Sequence, residues 1–202
     1  MIVRMDPRPR RFPLSLWSFV FGFSLLPLAH AEPKAAFLAG AAAQIGQTVS
    51  YIADYVALPY PGGDVPLAGG VCTDVVIRAF RKAGIDLQKD VHEDMKSAFP
   101  AYPKLWGLAK PDTNIDHRRV PNLMTFFKRR GKALPITRNP ADYQPGDIVA
   151  WRIPDGRPHI GLVAPEAGGD PARRQIIHNI GHGARREDRL FEFEIIGHYR
   201  YW

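Results

Sequence analysis

Helices in the first half of the chain and short strands in the second predict an α+β domain, with N-terminal helices packed on a C-terminal antiparallel sheet. Three observations carry this. Apolar residues recur at helical spacing in segments that precede Gly131. After Pro145 the pattern changes to short runs rich in Val, Ile and aromatic residues, separated by turn formers. No repeat, low-complexity tract or long linker interrupts the chain, so one domain is expected over residues 32–202.

Taken in order, Phe37, Leu38, Ala41, Ala42, Ile45, Val49 and Ile52 mark a helix from Ala35 to about Val56. Pro59-Tyr60-Pro61-Gly62-Gly63-Asp64 breaks it into a loop. Val75, Val76, Ala79, Phe80 and Ala83 mark one face of a second helix, stopped by Gly84, and Cys72 falls at its start. Val91 to Asp116 reads as loop with a short helix. Pro121 opens a further helix through Arg130, ended by Gly131. Asp147–Trp151, His159–Val163, Gln175–Asn179 and Phe191–Tyr199 read as four strands.

Arg4, Arg8, Arg10 and Arg11 precede an apolar stretch from Leu14 to Leu28 and the small-x-small step Ala29-His30-Ala31. This is the pattern of a secretory signal peptide, so residues 1–31 are expected to be removed and the product to be periplasmic or secreted. The stretch is short for a bilayer and contains Pro27, so no stable membrane span is expected after cleavage. The whole chain carries 27 Lys and Arg against 20 Asp and Glu. Without Arg4, Asp6, Arg8, Arg10 and Arg11 it carries 23 against 19. The remaining basic pairs are scattered, which excludes the concentrated stripe of a nucleic-acid binder. A monomer is expected.

Cys72 is the only cysteine, and an exported thiol without a disulfide partner is an oxidation liability. It is either a buried, inert side chain or a nucleophile. A nucleophile must be ionised, and a helix N-terminus or a neighbouring histidine achieves this. His159 opens one predicted strand and His178 lies in the next, close enough across a ladder for the second to orient the first. Asn179, on the opposite face of its strand, is the competing orienting residue. Asp116-His117-Arg118-Arg119 is either a solvated charged turn or a site where Arg118 or Arg119 grips a substrate carboxylate. Asp147 is expected to organise the turn into its strand. His178 and His182 lack an evident third ligand, so no metal and no cofactor is expected.

Tyr60-Pro61-Gly62-Gly63, Gly70-Val71-Cys72-Thr73, Pro145-Gly146-Asp147-Ile148-Val149 and His159-Ile160-Gly161 together resemble the NlpC-type and CHAP-type cell-wall cysteine peptidases, which have papain-like folds. The chain is also similar, over nearly all of residues 32–202, to a family of short exported bacterial proteins described as a domain of unknown function. That likeness rests on Gly70-Val71-Cys72-Thr73-Asp74-Val75-Val76, Asn114-Ile115-Asp116-His117-Arg118-Arg119, Ile177-His178-Asn179-Ile180-Gly181 and Gly197-His198-Tyr199-Arg200-Tyr201. The peptidase resemblance implies Cys72 as nucleophile, His159 as general base, His178 as orienting residue and Tyr60 as an oxyanion donor beside the cysteine. It implies peptidoglycan stem peptides as substrates. Val71 and Thr73 stand where the NlpC-type pattern has Asp and Ser, and the loop between the histidine strands is longer. A non-catalytic cell-wall binding protein and a thioester-forming acyltransferase are the alternatives.

Overall fold

The computed structural model describes residues 32–202 together with Met1, so the rest of the predicted leader lies outside the described residues. Four helices come first, α1 (Pro33–Ala42), α2 (Cys72–Lys82), α3 (Leu87–Ala98) and α4 (Val120–Arg129). Five strands follow, β1 (Ile148–Arg152), β2 (Pro158–Ala167), β3 (Arg174–Asn179), β4 (Ala184–Glu187) and β5 (Glu194–Tyr199). They form one antiparallel sheet in the order β4-β3-β2-β1-β5. The expected α+β class holds. No helix among the described residues is long and apolar enough to cross a membrane.

Strand alternation divides the interior in two. Ile148, Ala150, Ile160, Leu162 and Ile177 pack against Val75, Val76, Ala79 and Phe80 of α2 and Leu123, Phe126 and Phe127 of α4. Val149, Trp151, Val163, Ile176 and Ile195, on the other face, pack with Tyr143 and Leu190. Phe80 stacks on Phe127 at 5.7 Å between ring centroids and meets Phe37 edge-on at 4.8 Å. Burying each such ring contributes roughly 1.5–3 kcal/mol. Asp147 organises its turn as expected, accepting from Gln144 N at 2.8 Å, and also pairs with His198 and Arg200.

Three expectations are corrected. The first helix stops at Ala42 instead of Val56, because Gly46 takes a positive φ of 77° and tertiary partners claim the backbone beyond it. Thr48 Oγ1 donates to Leu67 O, Val49 N to Ala68 O and Ile52 N to Gly70 O, so residues 49–52 run beside 68–70. The apolar residues that suggested a helix there (Ile45, Val49, Ile52) are exposed. Second, α3 begins earlier than expected, capped by Asp86, whose Oδ1 accepts from Gln88 N. Only Leu87, Val91 and Met95 mark its buried stripe among charged neighbours, too sparse a signal to fix its start. Third, β4 was not anticipated, since Ala184-Arg185-Arg186-Glu187 has no apolar alternation.

The Asp116–Arg118 turn is buried rather than solvated. Burial, and then the Arg118 cation, push the pKa of His117 down to about 4. An unfolded histidine titrates near 6.5, so the unfolded chain takes up the proton first. Stability from the neutral ring is complete above about pH 6.5 and is lost as pH falls toward 4. Urea unfolding is expected to show about 2 kcal/mol lost on this account between pH 7 and 5. His117→Leu should flatten that slope, and an unchanged slope would acquit His117.

Candidate active site

Helix α2 starts at Cys72 because Val71 is extended and Asp74, in the first turn, reaches back to accept from Val71 N at 2.7 Å. The thiol thus sits where unpaired N–H groups and the helix dipole favour an anion. Asp74 is itself held by Arg118, with Nε to Oδ1 at 2.9 Å and Nη2 to Oδ2 at 3.0 Å, both side chains almost fully buried.

The ladder explains how the thiol reaches the histidine strand. Val163 N donates to Asp147 O, so the odd-numbered N–H groups of β2 point toward β1 and the even-numbered ones toward β3. Pairing of β2 with β3 begins only at Leu162↔Ile177, which leaves the Ile160 N–H without a strand partner. Cys72 takes that place, within hydrogen-bonding reach of the N–H groups of Ile160 and Thr73 and of the Tyr51 hydroxyl. The nucleophile candidate therefore lies in the gap where β3 has left β2, one residue from His159.

His159 and His178 lie on the Trp151 face of the sheet, and His159 stands opposite Trp151 in the ladder. Gly161 lies across from His178, and a Cβ there would come within 2.9 Å of the His178 Cβ. The missing side chain leaves His178 room to lean over β2, and His159 Nε2 meets His178 Nδ1 at 2.8 Å. His178 Nε2 in turn meets Glu187 Oε2 at 2.8 Å. These contacts assign the tautomers. A carboxylate accepts, so His178 carries its proton on Nε2 and offers Nδ1 as acceptor. His159 then donates through Nε2 and keeps Nδ1 unprotonated, the lone pair that a general base needs.

Burial, with His178 beside it, pushes the pKa of His159 down to about 3. Burial also lowers that of His178, against the opposing pull of Glu187. Burial pushes the Cys72 thiol up to about 11; the Ile160 and Thr73 N–H groups and the Tyr51 hydroxyl oppose it, while the Asp74 charge adds to it. The resting pair is therefore a neutral thiol and a neutral imidazole. A cleft of ≈ 130 Å³, lined in part by Tyr51, Arg157 and Gly181, opens beside His159. Among the described residues, no group of three His, Cys, Asp or Glu side chains is placed to hold a metal.

His159 and His178 thus meet directly and Cys72 reaches the N–H of Ile160, the next residue along β2, whereas three other expected site residues do other work. Tyr60 is no neighbour of the thiol's hydrogen bonds: its hydroxyl donates to Glu93 and its ring meets His92, both on α3. Tyr51 occupies the position expected of it. Asn179 neither touches His159 nor is free for substrate, because its amide donates to Ser50 O and Gly70 O and accepts from Gly181 N. It holds the two backbone segments that flank Cys72. Arg118 is too occupied to grip a substrate, binding Asp74 and the carbonyls of Ile52 and Asp54. Tyr51 and Glu187 were missed because one lay in a presumed helix and the other on the unanticipated strand. The Gly181-His182-Gly183 turn after Asn179 was the one signal for that strand.

Glu187→Gln retains an acceptor but also brings a donor, which removes the fixed tautomer of His178. Imidazole ¹⁵N chemical shifts are expected to show His159 with Nε2–H in the parent and a tautomer mixture in the variant. Identical shifts in both would mean that Glu187 does not set the network.

A family model for a domain of unknown function, DUF1287, matches residues 38–201. The "Uncharacterized protein YijF" of Escherichia coli (strain K12) is 54% identical over 172 residues, which cover 85% of this chain and 83% of that protein. The matched span contains every residue of the constellation from Tyr51 to Glu187, and by both likenesses this chain belongs to the DUF1287 family.

Proposed function

We propose that the chain is an exported thiol hydrolase with a papain-like arrangement, cleaving an amide bond in peptidoglycan stem peptides. The observation that carries the reading is a helix-start thiol at the Ile160 N–H, one residue along β2 from the head of a His159–His178–Glu187 chain whose hydrogen bonds leave the His159 Nδ1 lone pair free. In the reaction, the Cys72 sulfur attacks the amide carbonyl as its proton passes to His159 Nδ1. The oxyanion is received by the Tyr51 hydroxyl and N–H groups at the start of α2. The C–N bond then breaks as His159 returns the proton to the leaving amine. Water, deprotonated by His159, attacks the thioester and releases the acid and the thiol.

A neutral resting pair is compatible with this course, since the proton moves during attack. It also favours a second reading, a cell-wall binding protein that keeps the arrangement without turnover: a thiol with a pKa of about 11 is almost wholly un-ionised at neutral pH. One experiment separates the two. Protein beginning at Glu32 and its Cys72→Ala variant are incubated with purified peptidoglycan, and released fragments are identified by mass spectrometry. Fragments made by the parent alone are expected, and their masses name the bond. Equal digests from both would remove the hydrolase reading.

A further inference from the structure

Among the described residues that line the cleft at Tyr51 and His159, Arg157 brings the only formal charge. The β1–β2 hairpin fixes its backbone, with Ile153 N donating to Arg157 O at 3.0 Å and Gly156 N to Ile153 O at 2.8 Å. Arg157 stands immediately before β2, two residues ahead of His159 in the chain. Asp155 holds one edge of the guanidinium, accepting from Nε at 2.7 Å and pairing with Nη2, and also accepts from Arg157 N at 3.0 Å. Among the described residues, Nη1 has no hydrogen-bond partner, so a donor edge remains for a ligand. The cation is near enough for its charge to act on both the Tyr51 hydroxyl and Cys72.

We infer that Arg157 makes this cleft a carboxylate subsite, selecting acyl substrates that carry a free carboxylate beside the amide presented to Cys72. A fixed guanidinium edge suits a carboxylate in both charge and geometry. The substrate assignment rests on the thiol-hydrolase reading; the charge preference of the cleft does not. Charge selection here comes from the one cation at the mouth, because apart from the uncharged Tyr51 and His159 the remaining lining (Ile153, Pro158, Ile180, Gly181) is apolar or small.

Alkylation of Cys72 tests the subsite without any turnover. Iodoacetate and iodoacetamide both form the S–CH₂ bond and release iodide, and they differ chiefly in the carboxylate. The rate ratio of the two reagents is measured by mass spectrometry on the protein and on Arg157→Gln and Arg157→Lys variants. The ratio is expected to fall roughly three- to tenfold in Arg157→Gln, and to be largely kept in Arg157→Lys. In the parent it should also decline as ionic strength rises. A ratio unchanged in Arg157→Gln, even with both rates altered equally, would overturn the inference whether or not peptidoglycan is cleaved. A lowered ratio in a protein that releases no fragments would leave the subsite standing and remove only the hydrolase.

Discussion

For the thiol hydrolase proposed above, His159→Ala is expected to lower kcat/KM for peptide-bond hydrolysis about 10³- to 10⁴-fold while leaving the fold intact. Burial holds the Cys72 thiol near pKa 11, so the sulfur gains almost nothing by ionising alone at neutral pH. It needs a base at the moment of attack, and His159 Nδ1 is the lone pair the network leaves open. The alanine variant also lacks the acid that protonates the leaving amine, so both halves of the reaction suffer. Added imidazole should restore part of the rate, because it supplies the missing proton carrier without the covalent link. That rescue distinguishes a chemical role from a packing one, since His159 also lies against Trp151. A variant that keeps a tenth or more of parental activity would show that another group takes the proton.

Arg118→Met is expected to cost about 3–5 kcal/mol of unfolding free energy, because it strands a buried carboxylate. Asp74 is almost wholly inaccessible and receives two hydrogen bonds from the guanidinium. Removing the cation leaves Asp74 with the Val71 N–H as its remaining hydrogen bond. A loss of that size is a large part of the total stability of a domain. At this chain length it corresponds to roughly 6–20 °C in melting temperature. The double variant Arg118→Met/Asp74→Leu should recover much of the loss, since a buried pair replaced as a unit strands no charge. A single-variant loss under about 1 kcal/mol, or a double variant no better than the single, would refute the ion-pair account. The same substitution reaches the thiol. Arg118 offsets an Asp74 charge that raises the Cys72 pKa, and its contacts to Ile52 and Asp54 carbonyls hold the segment that carries Tyr51. Slower alkylation of Cys72 should therefore accompany the loss of stability.

The elements legible in the sequence were those whose signal is local. Helix α2 announces itself through Val75, Val76, Ala79 and Phe80 and its Gly84 stop, and α4 through Pro121 and Gly131. Four strands were visible because buried strands need β-branched and aromatic residues. The same local reading overran α1, where apolar spacing continued past the point at which Thr48, Val49 and Ile52 found partners in residues 67–70. Propensity yields to such contacts because each one satisfies a backbone or hydroxyl group that folding would otherwise leave unpaired.

The site divides along the same line. Residue type and order alone determined that Cys72 opens a helix and that His159 and His178 sit on adjacent strands, because chemistry and periodicity travel with the sequence. Only the tertiary structure decided the rest. It put Tyr51 rather than Tyr60 beside the thiol, spent Asn179 and Arg118 on holding the backbone around it, and brought Glu187 to His178 across a strand with no apolar pattern. Hydrogen bonds between residues far apart in the chain depend on register and on which strand stops first. The departure of β3 from β2 at Leu162 exposes the strand N–H group that Cys72 approaches, and that is a property of the assembled sheet, not of any single segment.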